Sequence, residues 1–96
     1  MDKQLKGGAE SRRAALLGSN PRFRLYLDAR RRHRNGLTPD QLPDGTHSAD
    51  DAADFIRAAC GVSSRAEIDH DVNAGFILGR IVADYTRWER RQRRAG

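Results

Sequence analysis

Apolar residues recur along this chain at helical rather than alternating intervals. The longest run is VNAGFILGRIVADYTRWERR, where Ala74, Leu78, Ile81, Tyr85 and Trp88 follow at alternating four- and three-residue steps, with Ile77 and Val82 beside them. That spacing puts them on one stripe of a helix. The stretch ERRQRRAG after Trp88 is polar, so the helix is expected to run into solvent and fray over residues 91–96. Upstream, ADDAADFIRAAC predicts a second helix with Ala52, Phe55, Ile56, Ala59 and Cys60 as its buried stripe. Ser48 is its expected cap and Asp50 and Asp51 lie in its first turn, where carboxylates suit the helix dipole. Gly61 stands where a left-handed cap is wanted, and Val62 follows as the apolar contact after it.

Earlier in the chain, RFRLYLDARRRHR predicts a helix with Phe23, Tyr26, Leu27 and the stem of Arg30 on one face. Ser19-Asn20-Pro21 reads as a capping residue followed by Pro at the first helical position. Asn35-Gly36 closes that helix. Glu10–Leu17 predicts a short helix stopped by Gly18, and residues 1–9 a mobile tail broken at Gly7-Gly8. Residues 37–47, LTPDQLPDGTH, hold two prolines and Asp44-Gly45 and must form a loop, which Leu37 and Leu42 could pin to the core. No strand pattern, internal repeat or low-complexity tract is present. The expected fold is all-α: a mobile tail, then one domain over residues 10–96 with three or four helices around a small core.

The bulk numbers narrow this further. At 96 residues the chain is one small domain, too short for a large enclosed active-site cavity. Charged residues make up 32% and mean hydropathy is −0.80, yet 38% of residues are hydrophobic, enough for one thin core. The single cysteine, Cys60, allows no disulfide within the chain, which fits a reducing cytoplasm. No apolar run approaches a membrane span, and MDKQLKGGAESRR lacks the apolar segment of a signal peptide.

Charge is unevenly distributed. Residues 1–39 carry ten Lys and Arg against three acids, residues 40–71 two against eight, and residues 72–96 six against two. Sixteen of the eighteen cations are arginines, the residue suited to bidentate phosphate contacts. Helical neighbours gather Arg24, Arg30, Arg31 and Arg34 on one segment and Arg87, Arg90, Arg91 and Arg94 on another. These eight are the candidate nucleic-acid-binding residues, with electrostatic footprint as the warrant. The competing expectation is that the acidic middle folds back on the basic ends and neutralises them.

The corner CGVSSRAEIDHD has the Gly and short polar turn of a DNA-reading helix-turn-helix, but it fails that pattern. Arg57 occupies the position that must be small where the helices cross, Glu67 an apolar position, and the would-be recognition segment is acidic, which repels phosphate. It reads better as a capped corner. Gly61 stops one helix, Ser64-Arg65-Ala66-Glu67 forms a capping box for a short turn that points Ile68 inward, and Asp71 caps the next helix.

His47, His70 and Cys60 match no zinc spacing, no CxxC or HExxH occurs, and nothing positions a Ser/His/Asp set. No metal, cofactor or enzymatic activity is therefore expected. Gly75 and Gly79, four apart, let another helix approach closely, either within the chain or at a homodimer seam. Cys60-Gly61, Ser64 to Glu67, Asp69 and Trp88 resemble a pattern in small uncharacterised helical proteins of phages and prophages, over residues 48–88. That resemblance implies a phage or mobile-element origin and a bacterial host cytoplasm, and carries over no functional residue. The expectation is a non-enzymatic accessory protein that binds nucleic acid or a nucleoprotein. The alternative is a protein-binding modulator of a host DNA-processing or defence enzyme.

Overall fold

The computed structural model describes residues 8–95. Four α-helices follow in order: α1 Ala9–Ser19, α2 Pro21–Asn35, α3 Ala49–Cys60 and α4 Val72–Ala95, with a 3-10 turn at Arg65–His70 between the last two. Among the described residues there is no strand, so the all-α fold holds. The tail expected over residues 1–9 falls mainly on 1–7, outside the described residues. Residues 91–95 belong to α4, and residue 96 lies outside.

Local chemistry sets most of the helix ends. Asn20 is extended, accepts the Arg22 N–H on its side chain at 2.9 Å and hands over to Pro21 at the first position of α2. Gly36 and Gly61 take the left-handed conformation that closes α2 and α3, at φ 65° and 71°. Ser48 and Asp51 exchange side-chain and backbone bonds in a capping box that opens α3. The Glu67 carboxylate accepts the Ser64 N–H at 3.1 Å, and Asp71 accepts the Ala74 N–H at 3.0 Å to open α4.

Two local expectations change. Gly18 does not end α1, which continues to Ser19 with Gly18 buried inside it. Pro21 forces its predecessor out of helical geometry, and Asn20, at ψ 117°, is where the break falls. Ala59 is exposed rather than part of the buried stripe of α3. The buried side chains there are Ala52, Ile56 and Cys60, with Phe55 half-buried on the flank.

All four helices and the turn contribute to the core: Ala14 and Leu17, then Phe23, Tyr26 and Leu27, then the three of α3, then Ile68, Ala74 and Leu78. Beyond Leu78, α4 lies against α2 through aromatic rings. Tyr85 meets Phe23 and Tyr26 edge-on at 5.7 and 5.9 Å, and Trp88 meets Tyr26 at 5.8 Å. Such edge-to-face pairs contribute about 0.5–1.5 kcal/mol each beyond their buried area. This seam fixes α2 beside α4 and so decides which arginines become neighbours.

Two carboxylates, one half-buried and one buried, tie distant segments together. Asp69, in the 3-10 turn, accepts the N–H groups of Gly8, Glu10 and Ser11 at 3.1, 2.9 and 3.3 Å, capping α1 from across the fold. Asp28 on α2 has a side chain only 1% exposed and holds the 37–48 loop, as described next.

Candidate functional site

Along α4, Arg80, Arg87, Arg91 and Arg94 recur at intervals of seven, four and three, which is one stripe. The aromatic seam turns that stripe toward α2; two clefts open along the join, and a third lies between α2, His47 and α3, sharing Arg30 and Phe55 with the first. The first is lined by Tyr26, Arg30, Phe55, Ala59, Ile77, Arg80, Ile81 and Arg87, and has a volume of about 420 Å³. The second is lined by Tyr26, Arg30, His33, Asp84, Trp88 and Arg91. The third, of about 300 Å³, is lined by Leu27, Arg30, Arg31, Arg34, Asn35, His47 and Phe55.

Arg30 lines all three clefts. Its guanidinium carbon lies 5.0 Å from the centre of the Phe55 ring, a cation–π contact that holds it at the rim while its stem packs below. The three clefts together take six arginines, Arg30, Arg31, Arg34, Arg80, Arg87 and Arg91, and a single carboxylate, Asp84. Asp84 accepts the Tyr26 hydroxyl at 2.9 Å and pairs with Arg87. The Tyr26 bond, with Arg87 beside it, outweighs partial burial and holds the Asp84 carboxyl below its ordinary value. Burial first, and Asp84 second, push the Tyr26 phenol up to about 12, so it remains a hydrogen-bond donor across physiological pH.

The chain therefore carries two kinds of arginine. Arg22 forms a forked pair with Glu89, closest at 2.7 Å, and lies over Trp88; Arg32 pairs with Asp44 at 3.1 Å and donates to the Leu42 carbonyl; Arg57 pairs with Asp54. Neutralisation by the acidic middle of the chain is thus confined, among direct ion pairs from α2 and α4, to Arg32 with Asp44. Arg30, Arg31, Arg34 and Arg91 make no ion pair among the described residues.

Of the eight arginines singled out from the sequence, Arg30, Arg87 and Arg91 come together along the α2–α4 join, and Arg31 and Arg34 meet Arg30 in the cleft between α2 and α3. Arg90 and Arg94 are exposed on the last turns of α4. Arg24 is half-buried, and its Nε is buried without a hydrogen-bond partner among the described residues. Sequence reasoning missed Arg80, although its seven-residue interval to Arg87 was there to be read. It weighed His47 only as a metal ligand and missed its pairing with Asp28, which no local pattern joins.

Asp28 is a charge sealed under the loop. Its Oδ2 accepts the Gly45 N–H at 2.8 Å, and its Oδ1 accepts the Thr46 hydroxyl and His47 Nδ1, the latter at 2.6 Å. Burial alone would raise the Asp28 carboxyl, but the bonds from Thr46, His47 and Gly45 outweigh it and leave the group below its ordinary value. An ionised carboxylate can only accept, so Nδ1 of His47 must carry a proton in this pair.

The corner from Gly61 to Asp71 is a capped turn. Its second element is a 3-10 segment, Arg65–His70, not the α-helix that reading a major groove requires. Gly75 has the Ile68 carbonyl 3.9 Å from where a Cβ would lie, and Gly79 has no atom within 4 Å, so no helix of the described chain crosses at Gly79. Among the described residues no three His, Cys, Asp or Glu side chains converge as a metal site would require, and no helix is long and apolar enough to cross a membrane. No family model matches the chain, and neither curated proteins nor solved structures give a match.

Proposed function

We propose that this protein is a non-enzymatic binding module that engages the phosphate backbone of a nucleic acid, free or within a nucleoprotein, along the α2–α4 face. The observation that carries this is the convergence on Arg30 of two arginine groups some fifty residues apart, with Asp84 the only carboxylate among them. Guanidinium groups suit phosphate oxygens through paired N–H donors. The apolar floor of the first cleft, Phe55, Ile77 and Ile81, offers contact for a base or sugar beside the charged rim. The resemblance over residues 48–88 agrees with an accessory role in a phage or mobile element.

A titration with duplex and single-stranded DNA across a salt series tests this. Binding should weaken steeply with salt, and the slope of log affinity against log salt should fall by about one for each phosphate-contacting arginine removed. Arg30→Gln and Arg91→Gln, each removing a guanidinium with no ion pair among the described residues, should reduce it, whereas Arg57→Gln, which lies off this face and is paired with Asp54, should not. Absence of binding at low salt would overturn the proposal.

One observation favours a protein partner instead. Val72 and Phe76, one turn apart at the start of α4, are 89% and 66% exposed. Affinity capture from host lysate with and without nuclease separates the two readings: partners that survive nuclease support a protein modulator of a DNA-processing or defence enzyme.

A further inference from the structure

The third cleft differs from its neighbours in holding an oriented histidine. The His47 side chain is 11% exposed, and its Nδ1 is committed to Asp28. Its Nε2 makes no hydrogen bond among the described residues, while the ring lines the cleft with Arg30, Arg31 and Arg34. With Nδ1 fixed as a donor, Nε2 is a lone pair when the ring is neutral and a second N–H donor when it is protonated. Asp28 thus fixes the ring's orientation much as the outer partner of a metal-bound or catalytic histidine does.

Charges face this ring from both helices. Asp28 lies behind it, and Arg30, Arg31 and Arg34 stand beside it on α2. From α3 come Asp51 and Asp54, which line the cleft on the ring's other side together with Arg31. Asp54 pairs with Arg57, while Asp51 closes the capping box with Ser48 and keeps its charge toward His47 and Arg31. Arg30, Arg31 and Arg34 make no direct ion pair and outnumber that one carboxylate, and the balance favours an anion. A volume of about 300 Å³ is at the low end for a small-molecule site and suits a compact oxyanion.

The geometry points to an oxyanion seat in which Arg31, Arg34 and the Nε2–H of His47 together hold one phosphate group, with Arg30 at its edge. It rests on the nucleic-acid reading in that the seat adjoins that face at Arg30 and would take one backbone phosphate, but its own ligand chemistry is phosphate alone. Protonation of His47 completes the seat, so phosphate and the Nε2 proton bind cooperatively.

The test is a titration of the full chain with inorganic phosphate, followed through the histidine ring nitrogens and the backbone amides by NMR, with sodium chloride at matched ionic strength as control. Saturable shifts of His47 and of residues 30–34 with phosphate alone are expected. The imidazole titration should move to higher pH when phosphate is present. Arg31 and Arg34 are exposed, so Arg31→Gln with Arg34→Gln should leave the amide spectrum folded while weakening phosphate binding by about ten-fold or more. His47→Gln should weaken it too, by removing the switchable donor. Shifts equal in chloride, or unaffected by the arginine changes, would overturn the seat.

A single-stranded oligonucleotide supplies the second arm. If it displaces phosphate, the seat serves a nucleic-acid backbone. If phosphate binds and the oligonucleotide neither binds nor competes, the seat stands for free phosphate and the nucleic-acid reading fails. If the oligonucleotide binds without perturbing His47, the seat fails and that reading stands.

Discussion

Replacing Asp28 by Ala probes the most deeply buried charge in the fold. The carboxylate is 1% exposed and accepts bonds from the Gly45 N–H, the Thr46 hydroxyl and the His47 ring. Bonds to a charged group contribute about 1.5–3 kcal/mol each. Three such bonds added together would rival the whole stability of a small domain, about 5–15 kcal/mol. Simple addition overshoots here because Gly45 and Thr46 lie on an exposed loop and can turn their donors to water. What cannot relax is the largely buried imidazole, together with the space left on α2. The expected loss is therefore about 2–4 kcal/mol, somewhat less than the ~3–5 kcal/mol lost when one partner of a fully buried ion pair is removed. For a chain of this length that lowers Tm on the order of 10–20 °C. Urea unfolding at neutral pH gives the free energy, and amide exchange at residues 45–47 shows whether the loop is released. Asp28→Asn keeps one acceptor oxygen and should lie between Ala and the parent. The pH dependence has a definite sign. A carboxyl held below its ordinary value when folded stabilises the fold at neutral pH, and that contribution is lost as pH falls below about 4 toward the folded value. The Asn variant should lose less stability over that acid window than the parent. A midpoint for Asp28→Ala within about 0.5 kcal/mol of the parent would refute the anchoring role.

Asp69→Ala removes the acceptor for three N–H groups at the start of α1, and should cost about 1–2 kcal/mol, the range of a helix cap, with early exchange of the amides of residues 8–11. Equal protection in the variant would show that α1 is held by Ala14 and Leu17 alone. Gly18→Ala should stabilise. The new Cβ would stand 3.7 Å from Ile56 Cδ1 and 3.9 Å from the Ala53 amide nitrogen, which is ordinary contact, while helix propensity gains about 0.5–1 kcal/mol. A lower Tm for that variant would mean that α1 and α3 cannot accept even a methyl group between them.

The helix ends were legible because each depends on residues three or four apart. Ser48 with Asp51, Ser64 with Glu67 and Asp71 with Ala74 are local pairs, and Gly36 and Gly61 act through their own backbone. Gly18 misled because a glycine permits a stop without requiring one, whereas the Pro21 ring dictates where the stop falls. The contacts that organise the site are long-range. Asp69 reaches the amides of Gly8, Glu10 and Ser11 about sixty residues away, and Asp28 meets its partners seventeen to nineteen residues on. Periodicity puts a residue on a face of its own helix but says nothing of which helix that face will meet.

That limit explains why arginines can be named one by one from the sequence while the surface they share cannot. By sequence, charge is sorted into a basic start, an acidic middle and a basic end, which invites the expectation that the middle cancels the ends. The fold sorts charge by face instead. The Phe23–Tyr26–Tyr85–Trp88 seam locks α2 to α4, so the two basic ends lie side by side. On α3, meanwhile, Asp54 pairs with Arg57, and Asp51 caps the helix with Ser48 while its charge faces Arg31 and His47. Like charges brought together raise the energy of the fold, and here the apolar seam beneath them offsets that cost. A polyanion on this face would relieve the same repulsion, so the arrangement that makes the arginines costly to the free protein is the one that makes a phosphate ligand favourable.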